Sequence, residues 1–230
     1  MGSDHFVFSP APLTAWPIEG EDRFFPVRRV YCVGRNYADH AREMGHDPDR
    51  EPPFFFQKNP QNLTFDGRFA YPVATGDVHH EVELAVALSK GGEAIAAENA
   101  LDCVFGYAVA LDMTRRDRQA EAKKASRPWE IAKAFEGSAP AAALVPASRI
   151  GHPGNGAITL DVNGARRQEG DLNQMIWPVA DVIACLSGLF TLAPGDVILT
   201  GTPAGVGAVE RGDRLEAAIE GVGRLSVSVV

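Results

Sequence analysis

The run His79-His80-Glu81-Val82-Glu83 opens an apolar stretch that continues to Leu88. Side chains alternate across a strand, so Glu81 and Glu83 share one face while Val82, Leu84 and Val86 take the other. Two carboxylates side by side at the mouth of a buried strand repel and raise each other's pKa. A hard divalent cation such as Mg²⁺ relieves that repulsion, because it prefers oxygen ligands. Asp112 directly follows a second apolar run, VFGYAVAL, and supplies a third oxygen if the two strands pair suitably. Spacing alone leaves another reading equally open, in which the three acids lie on a half-exposed face and pair with Lys123, Lys124 or Arg115. The twin His79-His80 makes no soft-metal site without a further nitrogen or sulfur donor, and the sequence offers none nearby.

Three other patterns carry candidate chemistry. His40 and Glu43 are three residues apart on a short helical stretch and share a face. A carboxylate that accepts from one imidazole nitrogen raises the basicity of the other, giving a general base for water; the plainer reading is a surface pair. Residues 112–133 bring Arg115, Arg116, Arg118, Lys123, Lys124, Arg127 and Lys133 into a chain whose 22 Lys and Arg are outnumbered by 30 Asp and Glu. Such a local surplus receives an anionic substrate, or is the solvated face of a helix. GTPAGVG (201–207) follows an apolar strand but lacks the Lys of a phosphate loop, Ala208 standing after its last glycine. It reads instead as a tight loop whose backbone N–H groups and Thr202 hydroxyl suit a carboxylate or carbonyl oxygen.

The elements that must hold these groups follow from pattern. Val27 to Val33 predicts a strand ending at Gly34. Asn36 to Met44 predicts a short helix, with Asn36 as cap, Asp39 in the first turn and Gly45 as the stop. Polar His46 to Pro53 continues it as loop, so Asn36 to Pro53 forms a flap after a buried strand. Further strands are expected at 54–57, 82–88, 104–111, 197–200, 214–219 and 225–229. Residues 158–162 and 165–169 flank Asn163-Gly164, a strong hairpin signal. Residues 115–125 read as a charged helix. Residues 177–187 read as an amphipathic one, with Pro178 in its first turn, a stripe of Val179, Val182, Ile183 and Leu186, and Gly188 at its end. Residues 1–27, rich in proline, are an extended lead-in with one strand at Phe6 to Phe8, and residues 28–230 follow as one domain with no linker to split it. The sum is an α+β, strand-dominated fold with few helices.

Composition narrows the class. A chain of 230 residues, 45% apolar and 23% charged, suits one folded domain with a sizeable core. A net charge of −8 argues against general binding to nucleic acid or anionic membrane. No apolar run approaches the roughly 18 residues of a membrane span. The opening MGSDHFVFSPAPLTAW lacks the basic-then-apolar order of a secretory signal, which predicts a cytoplasmic protein. Cys32, Cys103 and Cys185 are odd in number and share no C-x-x-C spacing, so they read as buried reduced thiols.

Taken in order, CVGRNYADHAREMG (32–45), HHEVELAV (79–86), GYAVALDMTRRDRQAEAKKASRPWEIAKAFEGSAP (106–140), VNGARRQEGDLNQMIW (162–177) and PGDVILTGTPAGVG (194–207) resemble the fumarylacetoacetate hydrolase family. The likeness runs from about residue 28 to the C-terminus and implies that residues 28–230 are the catalytic domain. It implies a mixed β-sandwich roll, a homodimer, and Mg²⁺ or Mn²⁺ held by Glu81, Glu83 and Asp112. It also implies that His40 and Glu43 activate water on a lid, that Lys133 is catalytic, and that Arg116, Gln119 and Thr202 lie near the substrate. Lys58 matches a site position too, although Asn59 separates it from Pro60 where the family reads Lys-Pro. The activity implied is hydrolytic C–C cleavage of an acylpyruvate, above all fumarylpyruvate to fumarate and pyruvate. Oxaloacetate decarboxylation or acetylpyruvate hydrolysis on the same metal site is the alternative. A non-catalytic protein that binds metal and oxo-acids is the alternative of another class. In each case the partner is a small anionic 2-oxo acid.

Overall fold

The computed structural model describes residues 6–43 and 52–230. Two sheets dominate it. One has six strands in the order 145–146, 104–111, 82–88, 196–199, 29–33, 55–58. Within it 196–199 and 29–33 run parallel, while the other pairs are antiparallel. The second sheet has five strands in the order 165–171, 157–162, 214–219, 223–229, 68–69. The hairpin between 157–162 and 165–171 turns on Asn163 (φ 52°) and Gly164 (φ 78°), the double positive φ that Asn-Gly accommodates best. With few and short helices, this is the α+β architecture that the pattern predicted, and no described helix is long and apolar enough to cross a membrane.

The six-stranded sheet is buried on both faces, and its two faces belong to different cores. Val82, Leu84, Val86 and Leu88, with Tyr107, Val109 and Leu111 of the neighbouring strand, pack against Ile158, Leu160, Leu215 and Val227 of the second sheet. The alternate residues Ala85, Ala87, Ala108 and Ala110 are small, and Trp16, Ile18, Phe25, Val27 and Leu144 fill the space over them. The amphipathic helix Val179–Ser187 buries its predicted stripe of Val179, Val182, Ile183 and Leu186.

Three local expectations change, and a fourth falls outside the described residues. Phe6 to Phe8 is not a strand but an exposed bend; the N-terminal strands that find partners are Ala15–Pro17 and Phe24–Pro26. The helix after Gly34 starts at Ala38 and Asn36 does not cap it. The Asn36 amide is already engaged: its nitrogen donates to the carbonyls of Trp177 (2.9 Å) and Thr200 (2.8 Å), and its oxygen accepts from the Trp177 N–H (2.7 Å). Met44 to Glu51, which include the helix stop and most of the predicted flap, lie outside the described residues. All three cysteines are free, but Cys185 is half-buried, on the helix side away from the apolar stripe.

Candidate active site

Strand register builds the site. Val82 pairs with Leu111 and Glu83 with Ala110. The ladder runs one step further, the Asp112 N–H donating to the Glu81 carbonyl at 2.8 Å. Residues directly opposite in an antiparallel pair share a face, so Glu81 and Asp112 stand side by side, with Glu83 one step inward on the alanine-lined face. One oxygen from each of Glu81, Glu83 and Asp112 lies within 4.8 Å of the others, and the three residues are 4%, 2% and 1% exposed. No other group of three His, Cys, Asp or Glu side chains converges in this way among the described residues. The solvated-face reading is thereby overturned, as is pairing with Lys123, Lys124 or Arg115.

The compensating cations come from other elements. Lys133, at the end of the short helix Glu130–Lys133, places its ammonium 2.7 Å from Glu81 Oε2, from Asp112 Oδ2 and from Thr114 Oγ1, using all three of its donors. Lys58 ends the strand Phe55–Lys58; its Nζ lies 2.8 Å from Asp112 Oδ1 and donates to Ser138 Oγ at 2.9 Å and to the Lys133 carbonyl. Arg116, the first residue of the helix Arg116–Lys124, donates to Glu81 Oε1 and to Gln119 Oε1. Gln119, one turn on, is buried beside it. So the cation-rich block divides: Arg116 and Lys133 turn inward, while Arg118 pairs with Glu121 outside.

These neighbours split the two glutamates. Burial favours the neutral form of Glu81, but Lys133 and Arg116 outweigh it and hold that carboxyl well below the usual range. At Glu83 burial acts first, the negative charges of Asp112 and Glu81 add to it, and the carboxyl is pushed well above the usual range. The Gly201 N–H donates to Glu83 Oε2 at 2.7 Å and relieves this only in part. Asp112 Oδ1 touches Lys58 yet receives no hydrogen bond of proper geometry. A buried acid lacking compensation and a buried oxygen lacking a donor, both on an all-oxygen cluster, fit a hard divalent cation. Mg²⁺ and Mn²⁺ share that donor preference.

The remaining expected residues gather around the cluster. His40, 5% exposed on the helix Ala38–Glu43, lies near enough to Glu81 that an imidazolium there lowers the acid's pKa. Glu43 shares that helix, but its side chain, and with it the His40–Glu43 contact, lies outside the described structure. The 201–207 loop departs from expectation in one respect: its first N–H serves the protein's own Glu83. Buried Thr202 accepts from Gln168 Nε2 at 2.8 Å.

Sequence reading missed Gln168. Its amide oxygen accepts from the Val82 N–H (3.1 Å) and meets His80 Nδ1 (2.9 Å); its nitrogen donates to Thr202 Oγ1 and to the Pro203 carbonyl (2.9 Å). It is wholly buried in a strand, Ala165–Asp171, whose residues are otherwise mostly exposed. That strand holds no large apolar residue, so periodicity gave no signal for the one residue that turns inward. His80 is accordingly a partner of Gln168, and His79 pairs with Asp77 at 3.0 Å.

The chain is similar in sequence and fold to known proteins. Residues 29–230 fit the model of the fumarylacetoacetate hydrolase C-terminal family. A crystal structure of fumarylpyruvate hydrolase from Pseudomonas aeruginosa, in complex with Mn²⁺ and pyruvate, is 54% identical with a TM-score of 0.96, covering 98% of this chain and 99% of that one. The mitochondrial oxaloacetate tautomerase of Bos taurus is 44% identical over 195 residues, 85% of this chain and 88% of its own. An Escherichia coli oxaloacetate tautomerase is 44% identical over 200 residues, 86% of this chain and 90% of its own. With the five motifs in register on this fold, and a buried acidic triad where they meet, the chain belongs to the fumarylacetoacetate hydrolase family.

Proposed function

We propose that the chain is a divalent-metal-dependent hydrolase of acylpyruvates, with fumarylpyruvate as substrate and fumarate and pyruvate as products. The convergence of Glu81, Glu83 and Asp112 under Lys133 carries this reading. Those three carboxylates would hold Mg²⁺ or Mn²⁺, which when bound supplies Lewis-acid stabilisation to the oxygens of the pyruvyl end.

The chain's own groups then divide the work. His40, oriented by Glu43, takes a proton from the water that attacks the C4 carbonyl. The C3–C4 bond breaks, its electron pair passing to the pyruvyl fragment as an enolate, which takes up a proton at C3 to become pyruvate. Burial between two carboxylates leaves Lys133 charged, since Asp112 and Glu81 more than offset the cost of desolvation. With its three N–H groups held by Glu81, Asp112 and Thr114, that fixed positive charge would stabilise the developing enolate through space. Thr202 accepts from Gln168, which leaves its own hydroxyl proton for a substrate oxygen. Arg116 and Gln119 line the approach beside Glu81. With all three acids ionised, as a bound cation would require, they balance Lys58, Lys133 and Arg116 in formal charge. A divalent ion brings two positive charges, which a dianionic substrate cancels.

A second reading is favoured by the 44% identical oxaloacetate tautomerases. Oxaloacetate is also a dianionic 2-oxo acid, and its tautomerisation or decarboxylation passes through the same enolate without an activated water. Pyruvate release, coupled to lactate dehydrogenase, should be measured with fumarylpyruvate, acetylpyruvate and oxaloacetate, with metal and with chelator. Metal-dependent cleavage of fumarylpyruvate that is lost in His40→Ala supports the proposal. Loss of nothing in His40→Ala, with oxaloacetate as the only substrate turned over, favours the second reading. Residues 28–230 as the catalytic unit, and a homodimer as the assembly, complete the proposal; sedimentation velocity tests the latter.

A further inference from the structure

The acyl end of the substrate needs a seat, and two regions adjoin the acidic cluster. One is a cavity of about 270 Å³ next to Thr202 and His40, lined by Tyr37, Ala38, Asp39, Glu169, Gln174, Pro203 and Ala204. Its charged lining residues, Asp39 and Glu169, are both acidic and already paired with Arg42 and Arg166, and no lysine or arginine lines it to receive a carboxylate.

The other region is built of rings and cations. The Lys133 ammonium lies 5.2 Å from the centroid of Phe56, and Phe56 lies 6.0 Å from Trp129. Trp129 meets Phe54 edge-on at 5.3 Å. Arg35 caps the far face of this shelf, 4.9 Å over Phe54, and the Lys123 ammonium sits 5.1 Å over Trp129. Lys123 lies one helical turn beyond Gln119 and two beyond Arg116, about 6 and 10 Å along the axis on the same face. Among the described residues it makes no ion pair. Lys123 reaches solvent, yet the packing around it and the like charges of Arg116 and Arg35 push its pKa down.

We infer that Lys123, above the Phe54–Trp129–Phe56 shelf, is a specificity-determining residue that receives the terminal carboxylate of the acyl chain. The substrate class is then narrowed to acylpyruvates whose acyl group is flat, unsaturated and ends in a carboxylate. The rings take the flat chain and Lys123 closes it with a charge-assisted hydrogen bond. This inference rests on the acylpyruvate reading above.

The test is the ratio of kcat/KM for fumarylpyruvate to that for acetylpyruvate, which lacks the second carboxylate. In Lys123→Met that ratio should fall about tenfold to a hundredfold, the worth of one hydrogen bond to a charged group. In Lys123→Arg most of it should return. A ratio unmoved in Lys123→Met overturns the inference. Where the wild type cleaves neither compound, the acylpyruvate reading fails on its own, and the subsite is still read by titrating the Mn²⁺-loaded protein with fumarate and with crotonate. Preference for fumarate that Lys123→Met abolishes supports the subsite; equal binding of the two acids by the wild type overturns it.

Discussion

Gly201 joins the fold to the site, and substituting it separates the contributions. Its φ is +93°, and a Cβ there would lie 2.8 Å from the Asn36 Cβ and 3.3 Å from the Asn36 N. Asn36 is wholly buried and fixed by three amide hydrogen bonds, so it has no room to yield. In Gly201→Ala the left-handed backbone costs about 1–3 kcal/mol. Overlap with an immobile neighbour costs about 1–3 kcal/mol more. Moving the peptide to relieve the overlap withdraws its N–H from Glu83, a bond to a charged group worth about 1.5–3 kcal/mol. These routes compete, so a total of about 3–5 kcal/mol is expected. For a chain of this size that lowers Tm by roughly 6–20 °C. Gly212→Ala is the control, because Gly212 has a φ of +96° but nothing within 4 Å of its Cβ. It should lose only that same backbone cost of about 1–3 kcal/mol. Urea unfolding and Mn²⁺ titration should be run on both variants, the unfolding in chelator. Gly201→Ala should also bind Mn²⁺ more weakly, whereas Gly212→Ala should bind it as the wild type does. Equal stability losses in the two variants, or undiminished Mn²⁺ affinity in Gly201→Ala, would refute the reasoning.

Other expectations follow from the same contacts. Saturation with Mn²⁺ at a hundred times its Kd should stabilise the fold by about 2.7 kcal/mol, seen in scanning calorimetry as a rise of roughly 5–11 °C. Asp112→Asn should lose most of that increment while still folding. Lys133→Met strips Glu81 and Asp112 of a shared ammonium; metal-free, it should be less stable by about 3–5 kcal/mol, and added Mn²⁺ should restore more stability to it than to the wild type. Trp16 is wholly buried and donates its indole N–H to the Ala142 carbonyl at 2.7 Å. Trp16→Ala should therefore cost about 3–5 kcal/mol in chemical denaturation, and a value under 1 kcal/mol would show that the N-terminal segment is dispensable to the core.

What could be read from sequence was what local pattern encodes. The strands 82–88 and 104–111 emerged at their observed bounds because both are almost wholly apolar, Glu83 being the one charged residue in either. The 157–171 hairpin emerged because Asn-Gly is needed where two successive residues take positive φ. That Glu81 and Glu83 share a face followed from the two-residue period. That Asp112 joins them did not, since it depends on the register between two strands some thirty positions apart. The partners of the acids were legible only through family likeness: Lys58, Lys133 and Arg116 arrive from a strand and two helices with no common local signal. Asn36 misled because a residue suited to capping a helix was taken up by a distant loop. Trp16 and Phe25 were hidden in a proline-rich stretch that reads as extended, although the alanine face of the sheet requires large rings to cover it.

Gln168 spends every donor and acceptor of its amide on groups belonging to the catalytic layer, though it is itself part of the outer layer. Neither layer can slip past the other without stranding four polar groups in a dry interior. The outer sheet is thereby tied to the catalytic geometry as firmly as it is to its own hairpins. Breathing motions that free the 157–171 ribbon should therefore dismantle the acidic cluster in the same event. The Val82 amide, shielded by that single side chain, should exchange its hydrogen only when the molecule opens as one cooperative unit.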